Sequence, residues 1–391
     1  MSIRFGADVL LHNASAFLAN RNYAFLTNQS SVDGKGDMVL HSLLARGLPP
    51  RLIFAPEHGL YGVEQDMIPV DECRDPITGI PIVSLYGSQK EHLHPLPEHF
   101  AGIDLLLVDL QDIGTRYYTF IYTMAFCLRV CAALGIEVVV CDRPNPLGGL
   151  RCEGAEVTEK FKSFVGAYSI PVRHSLTIGE FAKFVLLSDN LDLNLQVLAV
   201  QNYSAATPYA DCRNFWVPPS PNMPQISTAV VYPGMCLLEA TNLSEGRGTT
   251  RPFEIFGAPW IKSAELCRHL NELRLPGVFF RPVLFRPAFQ KHAGNLCEGA
   301  FLHITNENTF EPYKTGLMLL AVLQRLYPEH FGWRSEPYEY EIEIPAIDML
   351  TGSNRFREKI NEIVSLEDLN EFLSVSNEFT SLREELRMYP L

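Results

Sequence analysis

Short runs that are apolar without interruption recur through the first half of the chain, at residues 23–28, 51–55, 104–109 and 137–141. Such runs mark strands buried on both faces, as in a parallel sheet covered by helices, because half-exposed strands alternate instead. Helical spacings lie between them. Residues 37–45 predict a short helix. Over 117–134 the apolar positions Phe120, Ile121, Met124, Leu128, Cys131 and Leu134 recur at three and four, a stripe that lies on a sheet, and Gly135 follows as a C-cap. Strand–helix–strand order implies right-handed βαβ units in a Rossmann-like layout.

Residues 143–175 read as loop. A helix is expected over 178–187, opened by Thr177 and Glu180 as a capping box, and a strand over 195–200. The proline-rich stretch 206–235 reads as ordered loop. The texture then changes: helices are expected at 261–273, 313–326 and 365–373, the last with Ser365 and Asp368 as a weaker capping pair, and strands at 278–285, 299–305 and 338–343. A chain of 391 residues exceeds what one core usually supports. The fold class is therefore α/β: a Rossmann-like domain over 1–235 and a smaller α+β domain over 236–391.

Composition removes several classes of function. The net charge is −13, and no Lys/Arg cluster forms the basic stripe of a nucleic-acid binder. No apolar stretch approaches the ~18 residues of a membrane span. The segment Met1-Ser2-Ile3-Arg4 lacks a charged region followed by an apolar one, so the chain reads as cytoplasmic, and an exported protein already relieved of its leader would read the same. Nine cysteines with no C-x-x-C spacing read as reduced and structural.

The polar residues cluster where the strands end. The first run closes on Thr27-Asn28-Gln29, the second enters Pro56-Glu57-His58-Gly59, the third closes on Asp109 with Gln111 and Asp112 following, and the fourth on Asp142-Arg143-Pro144-Asn145. Open α/β sheets bind ligands outside the carboxyl ends of their strands, so four strands would deliver carboxylates, amides and an imidazole to one rim. Each residue taken singly is as well explained as a helix cap or a loop hydrogen bond. There is no G-x-G-x-x-G, P-loop, G-x-S-x-G or H-E-x-x-H motif. Two further clusters follow. In Thr241-Asn242-Leu243-Ser244-Glu245-Gly246-Arg247-Gly248-Thr249-Thr250, glycines flank an arginine, which lets backbone approach a ligand. In Trp216-Val217-Pro218-Pro219-Ser220-Pro221-Asn222-Met223-Pro224, Trp216 offers an apolar plate of the kind sugars stack on.

Taken in order, these motifs resemble the bacterial exo-β-N-acetylmuramidase (NamZ-type) family. The likeness also covers Ser84-Leu85-Tyr86-Gly87, Ile113-Gly114-Thr115-Arg116-Tyr117-Tyr118-Thr119, Tyr232-Pro233-Gly234 and Lys291, and runs over nearly the whole chain. It implies removal of β-1,4-linked N-acetylmuramic acid from the non-reducing end of a muropeptide or peptidoglycan-derived disaccharide, at an active-site cleft between the two domains. No cofactor, metal, nucleic acid or membrane partner is expected. Glycoside hydrolysis commonly uses two carboxyl groups, one held protonated. Glu57 is the candidate acid, and His58 either shares proton work or caps a helix. Glu245 is the candidate second carboxylate, with Asp112 and Asp109 behind it. The sugar's lactyl carboxylate calls for a cation, from Arg247, Arg116 or Arg143. Asn28, Gln111, Tyr118, Asp142, Asn145, Asn222 and Thr249 complete the expected substrate contacts. An internal pair with Asp142 or Asp112 is the other reading of Arg143. Retention, inversion and participation by the acetamido group stay open. Two further functions fit the same residues: a metal-dependent hydrolase using Glu57, His58, Asp109, Asp112 and Asp142 as ligands, and a sugar-binding protein without catalysis.

Overall fold

A computed structural model describes residues 2–65, 73–212 and 215–391. Met1 of the N-terminal reading, and residues 213–214 of the proline-rich stretch, lie outside the described residues. Seven strands build the main sheet: β1 (Tyr23–Thr27), β2 (Leu52–Ala55), β3 (Cys73–Arg74), β4 (Pro81–Ser84), β5 (Leu105–Asp109), β6 (Glu137–Cys141) and β7 (Leu195–Leu198). Their order is β3-β4-β2-β1-β5-β6-β7, and every pairing is parallel except the short β3 on β4. The chain runs outward from β1 through β2 to β4, then returns to β5 on the other flank of β1. That reversal makes the β1/β5 junction the topological switch point.

The uninterrupted apolar runs are explained by burial on both sides. Phe25, Leu105, Leu107, Val139 and Cys141 join a core with helices α1 (Gly6–His12), α2 (Ala14–Leu18) and α3 (Val39–Leu44). Their neighbours Ala24, Leu26, Leu106, Val108, Val138 and Val140 join the larger core on the opposite face. That face is covered by α4 (Phe120–Leu134) and α5 (Ile178–Ser188). α4 stops at Gly135, whose φ of 68° is the left-handed C-cap the sequence predicts. α5 opens with the expected box: the Glu180 amide donates to Thr177 Oγ1 at 3.2 Å, and the Thr177 amide donates to Glu180 Oε2 at 2.9 Å.

Helix α6 (Ile226–Met235) leads into a second, three-stranded antiparallel sheet. Its strands β8 (Ile255–Ala258), β9 (Val278–Phe285) and β10 (Cys297–Ile304) take the order β8-β10-β9, with α7 (Ser263–Glu272) and α8 (Pro312–Leu326) beside them. α6 and α8 touch through glycines. A Cβ on Gly234 would stand 2.0 Å from the Pro312 carbonyl oxygen, and one on Gly316 would stand 2.4 Å from that of Gly234. The larger core runs through this contact, so residues of the main sheet and of α8 pack in one cluster.

Three expectations need correction. The 206–235 stretch is not loop throughout: its last ten residues form α6, because they carry no proline until Pro233, close to the helix end. Residues 338–343 form a turn instead of a strand, described below. The helix expected at 365–373 is broken into a 3₁₀ turn (Glu367–Leu369) and one short turn of helix (Asn370–Leu373). There Asp368 accepts from the backbone of Val364 and Ser365, which pins the chain into a turn.

Candidate active site

The switch point is filled by the protein itself. Asn28 Nδ2 donates to the Pro219 carbonyl at 3.0 Å, and Gln29 Nε2 donates to Pro218 at 2.9 Å. The proline-rich segment thereby lies over the end of β1, where a nucleotide fold would leave a crevice. Most strand-end polar residues are consumed in the same way. Arg143 clasps Asp109, Nε to Oδ1 at 2.5 Å and Nη2 to Oδ2 at 2.8 Å, and donates to the Val32 carbonyl. The partner of its guanidinium is thus Asp109; Asp142 is reached only by the Arg143 backbone amide, at 2.9 Å. Asp142 takes the Gly179 amide and the Thr177 hydroxyl at the start of α5. Burial pushes the Asp142 carboxyl up to about 6, against the hydrogen bonds from Tyr389, Gly179 and Thr177. Asn145 receives the Leu147 amide and donates to the Leu176 carbonyl. Gln111 bonds the Asp112 and Pro144 carbonyls, and Asp112 accepts from the Gly114 amide. Arg116 is fully buried and donates to the carbonyls of Ala155, Ile170 and Leu350. These residues frame the rim of the sheet.

A cleft of about 460 Å³, counted with its open mouth, lies beside this frame. It is lined by Glu57, His58, Tyr118, Asn222 and Arg247 from the expected set. Thr119, Ser220, Glu239, Tyr338 and Glu339 also line it and were not anticipated. Ser220 lies in the proline-rich motif and Glu239 just ahead of the 241–250 loop, so proximity to motifs already singled out could have found both. A larger hollow of about 680 Å³ opens beside Arg151 and Arg173, but it gathers none of the expected site residues.

The end of β2 positions the central carboxylate. The Gly59 amide bonds the Pro56 carbonyl at 3.0 Å, closing a turn with Glu57 and His58 at its corners. His58 sits at φ 71°, the left-handed setting that a type II turn requires at its third residue. Glu57 is 7% exposed, and its Oε2 accepts from the Thr119 hydroxyl at 2.8 Å, one residue before α4. His58 Nδ1 lies 2.9 Å from the Glu64 carbonyl oxygen. Asn222 donates to Gln65 at 3.0 Å.

The other wall comes from the 244–250 loop. Gly246 and Gly248 both have φ near 80°, and a Cβ on either would come within 2.6 Å of a carbonyl oxygen, so the bend that presents Arg247 requires glycine on each side. Arg247 Nη2 holds Glu239 Oε1 at 2.7 Å, and its guanidinium lies 5.2 Å from the Phe253 ring centre. Glu245 sits behind it, 2.9 Å from Lys291 Nζ and 3.5 Å from Arg247 Nε, and is not among the residues lining the cleft. Burial would raise the Glu245 carboxyl, but Lys291 and Arg247 outweigh it and hold the group below its ordinary value. Lys291 also donates to the Leu238 and Leu243 carbonyls, fastening the loop. Thr249 closes a turn on the Gly246 carbonyl. Trp216 stays outside the cleft; its Nε1 donates to the Met223 carbonyl and its ring packs edge-on against Tyr209. Among the described residues, no three His, Cys, Asp or Glu side chains converge as metal ligands. The five groups weighed for such a site are dispersed instead among the partners given above.

Known proteins bear on this arrangement. A family model described as exo-β-N-acetylmuramidase NamZ, N-terminal, matches residues 23–227, and its C-terminal counterpart matches 230–389. A peptidoglycan β-N-acetylmuramidase NamZ of Bacillus subtilis (strain 168) is 39% identical over 389 residues, spanning 99% of this chain and 91% of the relative. The crystal structure of a DUF1343 family protein of Bacteroides fragilis superposes with a TM-score of 0.87 at 29% identity, covering 99% of each chain. A second from the same organism gives 0.73 at 25% identity, over 100% of this chain and 99% of the other.

Proposed function

The chain belongs to the exo-β-N-acetylmuramidase NamZ family, and from that premise we propose that its cleft takes the terminal N-acetylmuramic acid of peptidoglycan fragments, with Glu57 donating the proton to the departing sugar oxygen. The observation that carries this reading is the meeting of Glu57 and Arg247 in one cleft, from opposite walls. A glycosidase needs a carboxyl at the scissile oxygen. Muramic acid differs from N-acetylglucosamine by a lactyl carboxylate, and a guanidinium matches that group bidentately. Of the three arginines weighed for this task, Arg116 donates to three backbone carbonyls and Arg143 clasps Asp109, both in the frame, and Arg247, held by Glu239, lines the cleft. We read Glu245 and Lys291 as the pair that fixes the Arg247 loop, and Tyr118 and Asn222 as substrate contacts.

The chain divides in this reading into a Rossmann-like part over 1–235 and a smaller part over 236–391, each giving one wall. Nine free cysteines suit a reducing compartment, so we place the protein in the cytoplasm, which cell fractionation tests. Glu57→Gln is expected to lower kcat on phenyl β-muramide, whose leaving group needs a proton, by about 100- to 10,000-fold while the protein stays folded. Near-wild-type turnover in that variant removes Glu57 from the reaction. The matching β-N-acetylglucosaminide is expected to lose most of kcat/KM; equal rates would show that no cation reads the lactyl group.

A further inference from the structure

We propose that Glu339 is the second reacting carboxylate, taking a proton from the water that attacks the anomeric carbon while Glu57 protonates the leaving oxygen; the proposal rests on the reading of Glu57 above. Residues 338–341 form a tight turn. The Tyr338 amide bonds the Glu341 carbonyl and the Glu341 amide bonds the Tyr338 carbonyl, both at 3.0 Å. The two residues between them are left-handed, Glu339 at φ 46° and Tyr340 at φ 66°. Two successive positive φ angles between paired ends define a type I′ turn, which ordinarily takes Asn-Gly. Glutamate and tyrosine there cost on the order of 1–3 kcal/mol each and persist only where the surroundings hold them.

The surroundings do hold them. The Tyr338 hydroxyl donates to Glu239 Oε2 at 2.7 Å, tying the turn to the Arg247 wall. The Tyr340 hydroxyl donates to the Gly87 carbonyl at 2.8 Å, tying it to the segment after β4. The Tyr340 ring packs against Tyr86 at 5.6 Å and Phe164 at 6.1 Å. The strained turn thus spans the two walls and sets Glu339, 8% exposed, into the cleft lining with Glu57. The Tyr86 hydroxyl donates to Glu339 Oε2 at 3.2 Å, and burial above all holds that hydroxyl protonated. The other acids nearby have structural tasks: Glu239 grips Arg247 and Tyr338, and Glu245 grips Lys291. His58 and Phe253, also left-handed without being glycine, line the same cleft, so backbone strain gathers there.

The step balances without another reactant. A lone pair on the water oxygen forms the new C1–O bond as one O–H bond of that water breaks; the proton passes to Glu339 and the O–H electron pair stays on the oxygen. The old C1–O bond breaks toward the leaving sugar oxygen, which takes the Glu57 proton. Glu339 is left protonated and Glu57 ionised, and exchange of one proton with solvent restores both.

The test uses Glu339→Ala and Glu339→Gln on two β-muramides, phenyl and 2,4-dinitrophenyl. Both variants are expected to lose about 100- to 10,000-fold in kcat on both substrates, because water activation is needed whatever the leaving group. Sodium azide, a nucleophile that needs no base, is expected to restore turnover of Glu339→Ala and give the glycosyl azide. The first product of the wild-type enzyme is expected to be the α anomer. Glu57→Gln behaves differently: it spares the dinitrophenyl substrate, whose leaving group needs no proton. If Glu57 is misassigned, that contrast disappears while the Glu339 results stand. The Glu339 proposal is overturned by a folded variant within about tenfold of wild type, by a loss that azide does not repair, or by a β product formed first. Should the alanine variant unfold, the glutamine variant, which fills the same turn, and the product anomer decide.

Discussion

Replacing Arg143 with methionine asks whether the strand-end ion pair is frame or site. The guanidinium meets both Asp109 oxygens, and the two side chains are 2% and 0% exposed. Without it the carboxylate keeps the Ser31 hydroxyl and loses its only described cationic partner. Removing one member of a buried pair strands the other charge, which costs about 3–5 kcal/mol. That is a large share of the ~5–15 kcal/mol that separates folded from unfolded protein. Removing both charges, with Asp109→Asn added, strands nothing, so the double variant is expected to recover on the order of 2 kcal/mol relative to the sum of the singles. Urea unfolding of the four proteins, followed by circular dichroism, measures the cycle. The kcat/KM of the folded fraction on a chromogenic β-muramide measures the site, and it is expected within about threefold of wild type, the effect of a residue that holds the fold and touches no substrate. An Arg143→Met protein as stable as wild type but nearly inactive would refute the reasoning, since the guanidinium would then be acting on substrate.

Three further outcomes are expected. Asp142, pushed up to about 6 by burial from its ordinary 3.8, binds its proton more tightly in the folded chain, so its contribution is most favourable below about pH 4 and is lost as pH rises toward 6. The wild-type protein should therefore lose about 3 kcal/mol relative to Asp142→Asn across that window, and a difference that does not change with pH would disprove the shift. Gly316→Ala should cost about 1–3 kcal/mol in a thermal melt, because its Cβ meets the Gly234 backbone and neither helix can yield alone; an unchanged melt would mean the helices stand further apart. Exhaustive dialysis against EDTA should leave kcat/KM unchanged; activity lost to chelation and restored by added Zn²⁺ or Mg²⁺ would revive the metal-dependent reading.

Periodicity made the main sheet legible because every one of its long strands is buried on both faces. β4 was harder to see: it is four residues long and only its middle pair is buried. α1 and α2 are too short to show a stripe. Glu57 and Arg247 were legible as members of turns rich in glycine and polar groups. Asp109, Arg143 and Arg116 looked equally functional, since a sequence does not say whether a polar side chain at a strand end faces a ligand or another part of the chain. Glu339 was hidden for a different reason. Tyr-Glu-Tyr-Glu-Ile-Glu alternates as a strand does, and only contacts from Glu239 and Gly87, distant in sequence, force it into a left-handed turn.

The glycine contact between α6 and α8 bears on how the molecule holds together as it is made and worked. Two helices whose backbones meet with no side chain between them cannot slide or open without breaking van der Waals contact along the seam. One packed interior then serves both walls, so the molecule should melt as one cooperative unit, and neither half should fold when produced alone. It also denies the cleft a hinge at that seam. Adjustment to a sugar then falls to the turns that line the cleft, while the sheet and helices behind them stay fixed.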